Sequence, residues 1–220
     1  MGEITRNDLF GKSIIDNVKK YNINTVLEIG SWDGTGSTAC FCEGMSDLQG
    51  YKSLVCLEIE QSKFKDLQQN TSIYSWIECY NQSSISYTDL VCNDFDKIWD
   101  SPYNGIPKDD GFGEEAKKNL VRSWFDEDMI KLKQIETGYL INNKDKFYQG
   151  ALIDGGEFNG YSEYMLLKDR VNFLFLDDYY NAYKTRQIAL ELQDDANWEI
   201  IAGNKRLRNG FAIFKRKNLL

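Results

Sequence analysis

The stretch that decides the fold is Thr25-Val26-Leu27-Glu28-Ile29-Gly30-Ser31-Trp32-Asp33-Gly34-Thr35-Gly36-Ser37-Thr38-Ala39. A short apolar run closes on a glycine, three residues pass, and two more glycines lead into a segment that Ser37 and Thr38 open as a helix. Glycine lets a backbone turn sharply and approach a ligand closely. The helix that follows presents free N–H groups and the positive end of its dipole. In an open parallel sheet, ligands sit beyond the carboxyl ends of the strands, at corners of this kind.

Outward from this corner the chain alternates strands and helices. Before it, Leu9, Phe10, Ile14, Ile15 and Val18 recur at helical spacing, and Lys19 and Lys20 suit a last turn. After it, SLVCLEIE (53–60) reads as a second strand, FKDLQQN as a short helix and SWIECYNQ (75–82) as a third strand. ISYTDLVC is ambiguous between helix and strand. FYQGALIDGG (147–156) is a fourth strand, YSEYMLLKD a helix, VNFLFLDDYY a fifth strand and TRQIALELQDD a helix. WEIIAGN and NGFAIFKRK form a terminal antiparallel hairpin. The expected fold class is α/β: a Rossmann-like, mostly parallel seven-stranded sheet with helices on both faces.

The length of 220 residues, at about 150 per domain, gives a single domain over 1–220. Residues 93–146 break its rhythm. They hold both prolines, Pro102 and Pro107, beside Gly105, Gly111 and Gly113. A helix over 114–135 follows, with Leu120, Val121, Trp124 and Phe125 on one side. This is too long for a simple connection, and we read it as an inserted cap or lid, with an oligomer contact as the alternative.

Composition closes off several chemistries. The sequence has no histidine, which removes Ser-His-Asp and Cys-His catalysis and His-ligated zinc. Acids, bases and metal ligands must come mainly from Asp, Glu, Lys, Tyr or Cys, and the metals that suit them are hard ions such as magnesium. A net charge of −8 argues against a phosphate-binding surface and a nucleic-acid partner. The five cysteines form no C-x-x-C pair; Cys56 and Cys79 lie in apolar runs and read as core residues of a reduced protein. Cys40 and Cys42 have the wrong spacing for zinc. The first ten residues have no apolar signal core, and no stretch approaches the roughly 18 apolar residues of a membrane span. The expectation is a cytoplasmic protein with no membrane partner.

The glycine pattern admits two templates. Gly34-Thr35-Gly36-Ser37-Thr38-Ala39 fits the dinucleotide fingerprint G-x-G-x-x-G/A, but there the first glycine follows the strand directly, and Gly34 comes four residues after Gly30. The better template is E-x-G-x-x-x-G-x-G, namely Glu28, Gly30, Gly34 and Gly36. Here the sequence resembles the class I S-adenosylmethionine-dependent methyltransferases. The resemblance implies a cofactor held by Glu28, Gly30, Ser31, Trp32, Gly34, Gly36 and Ser37. At the end of the second strand an acidic residue can take both ribose hydroxyls of an adenosine. The resemblance gives that role to Glu58, with Ile59 beside the adenine; Glu60 is the competing choice and reads as solvated. It also implies an adenine contact near Ser83, in Asn81-Gln82-Ser83-Ser84.

Asp154 ends the fourth strand and the Asp177–Asp178 pair ends the fifth. Parallel strands put these carboxylates on the same sheet edge as the glycine turn, where they repel one another unless a cation intervenes. The I-D-G and D-D motifs resemble a branch of small-molecule and sugar O-methyltransferases, which implies a magnesium ion on Asp154, Asp177 and Asp178. Pairing with Arg170, Lys184 or Arg186 is the alternative. Many relatives read I-D-G-x-H, with the histidine as base; Glu157 stands there, so the candidate catalytic residues are Glu157 and Asp154. The resemblance implies methyl transfer from S-adenosylmethionine to a small-molecule acceptor, a hydroxyl of a sugar, glycan precursor or natural product, in a protein whose relatives are often dimers. The competing readings are a cofactor-binding protein of this fold without catalysis, and a nicotinamide oxidoreductase.

Overall fold

The computed structural model describes residues 4–108, 111 and 113–219. Seven strands form one sheet: β1 (Thr25–Ile29), β2 (Ser53–Leu57), β3 (Ile77–Tyr80), β4 (Tyr148–Ile153), β5 (Val171–Asp177), β6 (Trp198–Asn204) and β7 (Phe211–Arg216). Their order is β3-β2-β1-β4-β5-β7-β6. The first five run parallel; β7 lies antiparallel to both β5 and β6. This is the expected mostly parallel sheet with its terminal hairpin. Every residue of β5 is buried, which is why the central strands read as unbroken apolar runs.

Side chains alternate between the two faces of each strand. Val26, Leu54, Leu152 and Phe175 pack with the buried sides of α1 (Leu9–Tyr21), α2 (Ser37–Ser46) and α3 (Gln61–Thr71). Leu27, Ile29, Val55, Ile153 and Leu176 pack on the opposite face. That face is covered by α4 (Phe95–Trp99), α5 (Glu114–Lys133), α6 (Tyr139–Asn142), α7 (Gly160–Leu167) and α8 (Arg186–Asp194). The start of α1 is secured by Asp8, whose Oδ1 accepts the Gly11 N–H at 2.7 Å, and Lys19 and Lys20 occupy its last turn.

Residues 93–146 carry the chain from β3, at the sheet edge, back to β4 beside β1. Parallel strands need such a crossover, and α5 provides it. The buried residues of α5 are Val121, Phe125, Met129 and Leu132, spaced four, four and three apart. Leu120 and Trp124, expected on the same side as Val121 and Phe125, are exposed. The ambiguous ISYTDLVC segment contains a single 3-10 turn, Tyr87–Asp89.

The strand order reverses between β1 and β4. At such a switch point the connections leave in opposite directions and open a crevice beyond the strand ends.

Candidate active site

The glycine-rich turn begins at Gly30, with φ +86°. A Cβ on Gly30 would lie 2.2 Å from the carbonyl oxygen of Asp154. Only a bare backbone lets the end of β1 press this closely on the end of β4. Trp32 also adopts a left-handed backbone, φ 51°. Gly34 (φ +79°) faces Leu67 of α3, and Gly36 is the residue before the first turn of α2.

Glu28 lies on the same face of β1 as Val26 and is fully buried. Its Oε2 accepts the Thr38 hydroxyl at 2.6 Å and the Cys56 thiol at 3.4 Å. Burial pushes its pKa up, against hydrogen bonds from the surrounding hydroxyls. Glu28 thus ties β1 to the start of α2 and to β2 from beneath the turn.

Glu58 follows β2 and is 6% exposed. Its Oε2 accepts the Trp32 N–H at 2.8 Å and its Oε1 the Glu60 N–H at 2.7 Å. Burial raises its pKa, and these two N–H groups oppose the rise. The carboxylate is thereby aimed, and each oxygen retains a lone pair. Asn81 holds the same corner, its Nδ2 donating to the carbonyls of Glu58 and Ile59. Lys63 Nζ lies 4.7 Å above the Trp32 ring.

A cavity of about 1110 Å³ opens above the ends of β1, β2 and β4. Among the expected cofactor residues Gly30, Trp32, Glu58, Ile59 and Ser83 line it. Glu28, Ser31, Gly34, Gly36 and Ser37 do not; they lie beneath the turn or on its far side and shape it. Among the expected metal and catalytic residues Asp154, Asp177 and Asp178 line the cavity and Glu157 does not. Glu157 Oε1 accepts the backbone N–H groups of Tyr183 at 2.7 Å and Lys184 at 3.4 Å. Its carboxylate is committed to the loop after β5.

The three aspartates do meet: one oxygen from each lies within 4.8 Å of the others. Hard donors this close suit a small divalent ion. The space beside them, however, is taken by Lys184, whose Nζ lies 2.9 Å from Asp154 Oδ1 and 2.8 Å from Asp178 Oδ2. Burial opposes the Lys184 charge, but Asp154 and Asp178 outweigh it and hold its pKa well above the ordinary lysine value. Asp177 faces Arg208 at 3.4 Å, and Arg208 also reaches Asp8 at 3.2 Å. Burial, then repulsion from Asp154 and Asp178, lifts Asp177 to about 7. Of the three expected metal ligands, Asp154 and Asp178 are thus each paired with Lys184, and Asp178 Oδ1 is buried with no hydrogen-bond partner among the described residues.

Lys184, named in the sequence as an alternative partner of the aspartate pair, does pair with Asp178; three further wall residues, Asp128, Lys131 and Glu163, went unremarked. Lys184 sits in a loop without periodicity, and only the strand order brings it back to Asp154. Asp128 and Lys131 belong to α5 and also line the cavity. Glu163 of α7 is 1% exposed, its Oε1 accepting the Ser84 hydroxyl at 2.5 Å while its Oε2 is buried without a partner. Its signal was present: Glu163 precedes buried Leu167 by four residues, on the inward side of the helix.

No family model and no curated protein matches the sequence. Solved structures do match by shape. An O-methyltransferase from Bacillus cereus in complex with SAH is 13% identical, with a TM-score of 0.56 over 94% of this chain and 80% of that one. A methyltransferase from Geobacter sulfurreducens is 9% identical, with a TM-score of 0.58 over 98% and 81%. An SAH-bound methyltransferase from Podospora anserina is 11% identical, with a TM-score of 0.53 over 94% and 78%. The sheet order, the glycine turn at the β1–β4 switch point and these likenesses agree: the chain has the fold of the class I methyltransferases.

Proposed function

We propose that this protein transfers a methyl group from S-adenosylmethionine to a hydroxyl of a small molecule, of the sugar, glycan-precursor or natural-product type. The observation that carries the reading is a single cavity with two chemistries. Glu58 and the Gly30–Trp32 turn face one part of it, and Asp154, Asp178 and Lys184 face another.

In this reading Glu58 accepts the ribose hydroxyls through the lone pairs that Trp32 and Glu60 leave open. Ile59 and Ser83 flank the adenine. Bound S-adenosylmethionine would supply an electrophilic sulfonium methyl. The chain's work is to hold the acceptor in line and exclude water, and α5 acts as the cap through Asp128 and Lys131. An ammonium has three N–H donors; Lys184 gives two to carboxylates and has one for the acceptor oxygen. Asp154, with one oxygen held by Lys184, takes the hydroxyl proton on the other. Glu157 keeps the Lys184 loop in place. Nicotinamide chemistry is disfavoured, because Gly34 and Gly36 lie off the cavity.

The test is calorimetric titration of the whole chain with S-adenosylhomocysteine, first with magnesium and then with EDTA. Micromolar binding is expected in both. No binding in either condition would remove the methyltransferase reading.

A further inference from the structure

We propose that Lys184 is the resident cation of this site: its ammonium holds the position that a divalent ion would otherwise take among Asp154, Asp177 and Asp178, so that the site is metal-free. The inference rests on the methyl-transfer reading only for what the site does, and not for what it binds.

Lys184 is rooted at its backbone. Its backbone N–H and that of Tyr183 are held by Glu157 Oε1. The next residue, Thr185, is fully buried, and its hydroxyl donates to the Asp177 carbonyl at 2.5 Å. On the other side Gly160 packs so closely on the Lys184 carbonyl that a Cβ there would lie 2.2 Å from its oxygen. Three attachments fix the start of a side chain that is itself 11% exposed. A surface lysine can swing aside for a metal at little cost; this one is tied at its base and paired at its tip.

Charge supports the same conclusion. Carboxylates crowded at one sheet edge need a positive charge to stay ionised. Lys184 supplies it to Asp154 and Asp178, and Arg208 supplies it to Asp177 from the other side. A divalent ion would have to displace the ammonium from two short contacts or share its space at like-charge repulsion. What marks the lysine as a stand-in is its reach. It bridges carboxylates from two different strand ends, the bridging a metal would perform.

The experiment uses the manganese ion as an electron-spin probe on the full chain, by the loss of the free-ion signal on binding. Wild-type protein is expected to leave the signal undiminished with protein in excess. Lys184→Met removes the ammonium but keeps the length of the side chain; it is expected to take one manganese ion per chain, at least tenfold more tightly than wild type. Stoichiometric binding by wild type, lost in Asp177→Asn, would overturn the proposal. So would a Lys184→Met protein with unchanged circular dichroism that is as blind to manganese as wild type. Should Lys184→Met not fold, the wild-type arm still decides. S-adenosylhomocysteine affinity, measured on the same wild-type sample, reports separately on the methyl-transfer reading.

Discussion

Glu58 Oε2 accepts the backbone N–H of Trp32 at 2.8 Å, joining two turns 26 residues apart. The glycine turn therefore aims the carboxylate that faces the cavity. Trp32 supplies that N–H from a left-handed backbone, which places the donor over the end of β2. The two motifs that stood out separately in the sequence are one unit in the fold.

From this follows an expectation for Glu58→Ala. Loss of a charged acceptor for two hydroxyls should weaken S-adenosylhomocysteine by about 10- to 100-fold, or roughly 1.4–3 kcal/mol. Calorimetry with a thermal-melt control reads it. Unchanged affinity in a folded variant would take Glu58 out of the cofactor site.

Gly30→Ala tests how tightly β1 and β4 abut. The new Cβ would meet the Asp154 carbonyl at 2.2 Å, on a backbone with φ +86°. The strain and the clash together should cost at least about 2 kcal/mol. For a chain of this size that lowers Tm by roughly 4–8 °C. A melting curve matching wild type would show that the two turns can separate freely.

Phe125 addresses whether α5 can come away from the body. Its ring lies 5.6 Å from Phe95 and 5.2 Å from Phe158, and it is buried. Phe125→Ala should cost about 3–5 kcal/mol in urea unfolding, with one transition. A small loss, or a separate early transition, would mark α5 as a detachable flap instead of a part of the core.

Glu163 carries a pH signature. Burial lifts its pKa from 4.5 to about 7, against the Ser84 hydrogen bond. The native state keeps a proton that the unfolded chain has shed, so the unfolded state binds fewer protons between these values. Stability held by neutral Glu163 is complete below about pH 4.5 and is lost as the pH rises through about 7. Glu163→Gln stays neutral throughout. Between pH 5 and pH 8, wild type should lose about 1–3 kcal/mol more than Glu163→Gln. Urea midpoints at the two pH values give the difference, and parallel losses would contradict a protonated Glu163.

Of the two cysteines read as core residues, Cys56 is buried, whereas Cys79 is half-buried and the hydrogen bond with Cys56 lowers its thiol to about 7. Cys40, Cys42 and Cys56 are buried, and burial pushes the thiols of Cys40 and Cys42 up to about 12. Protonated thiols make packing residues and poor zinc ligands.

Several features were decided by local sequence. Unbroken apolar runs bounded by turn residues marked the strands, because a strand buried on both faces needs no polar alternation. Glycines after β1, an acid after β2 and aspartates at the ends of β4 and β5 marked the edge where the cavity opens, because parallel strands bring their carboxyl ends together. Other features belong to the tertiary structure alone. Strand alternation turns Glu28 beneath the turn while Glu58 faces the cavity. The crossover from β3 to β4 makes α5 a cavity wall and part of the core. The loop after β5 holds the Glu157 carboxylate on its backbone and carries Lys184, which the sequence offered only as a partner of the aspartate pair, across to Asp154 as well. The reason is range. Hydrophobic runs and turn residues act between near neighbours, whereas the partner of a buried charge depends on which strands lie side by side, and one sequence does not state that order.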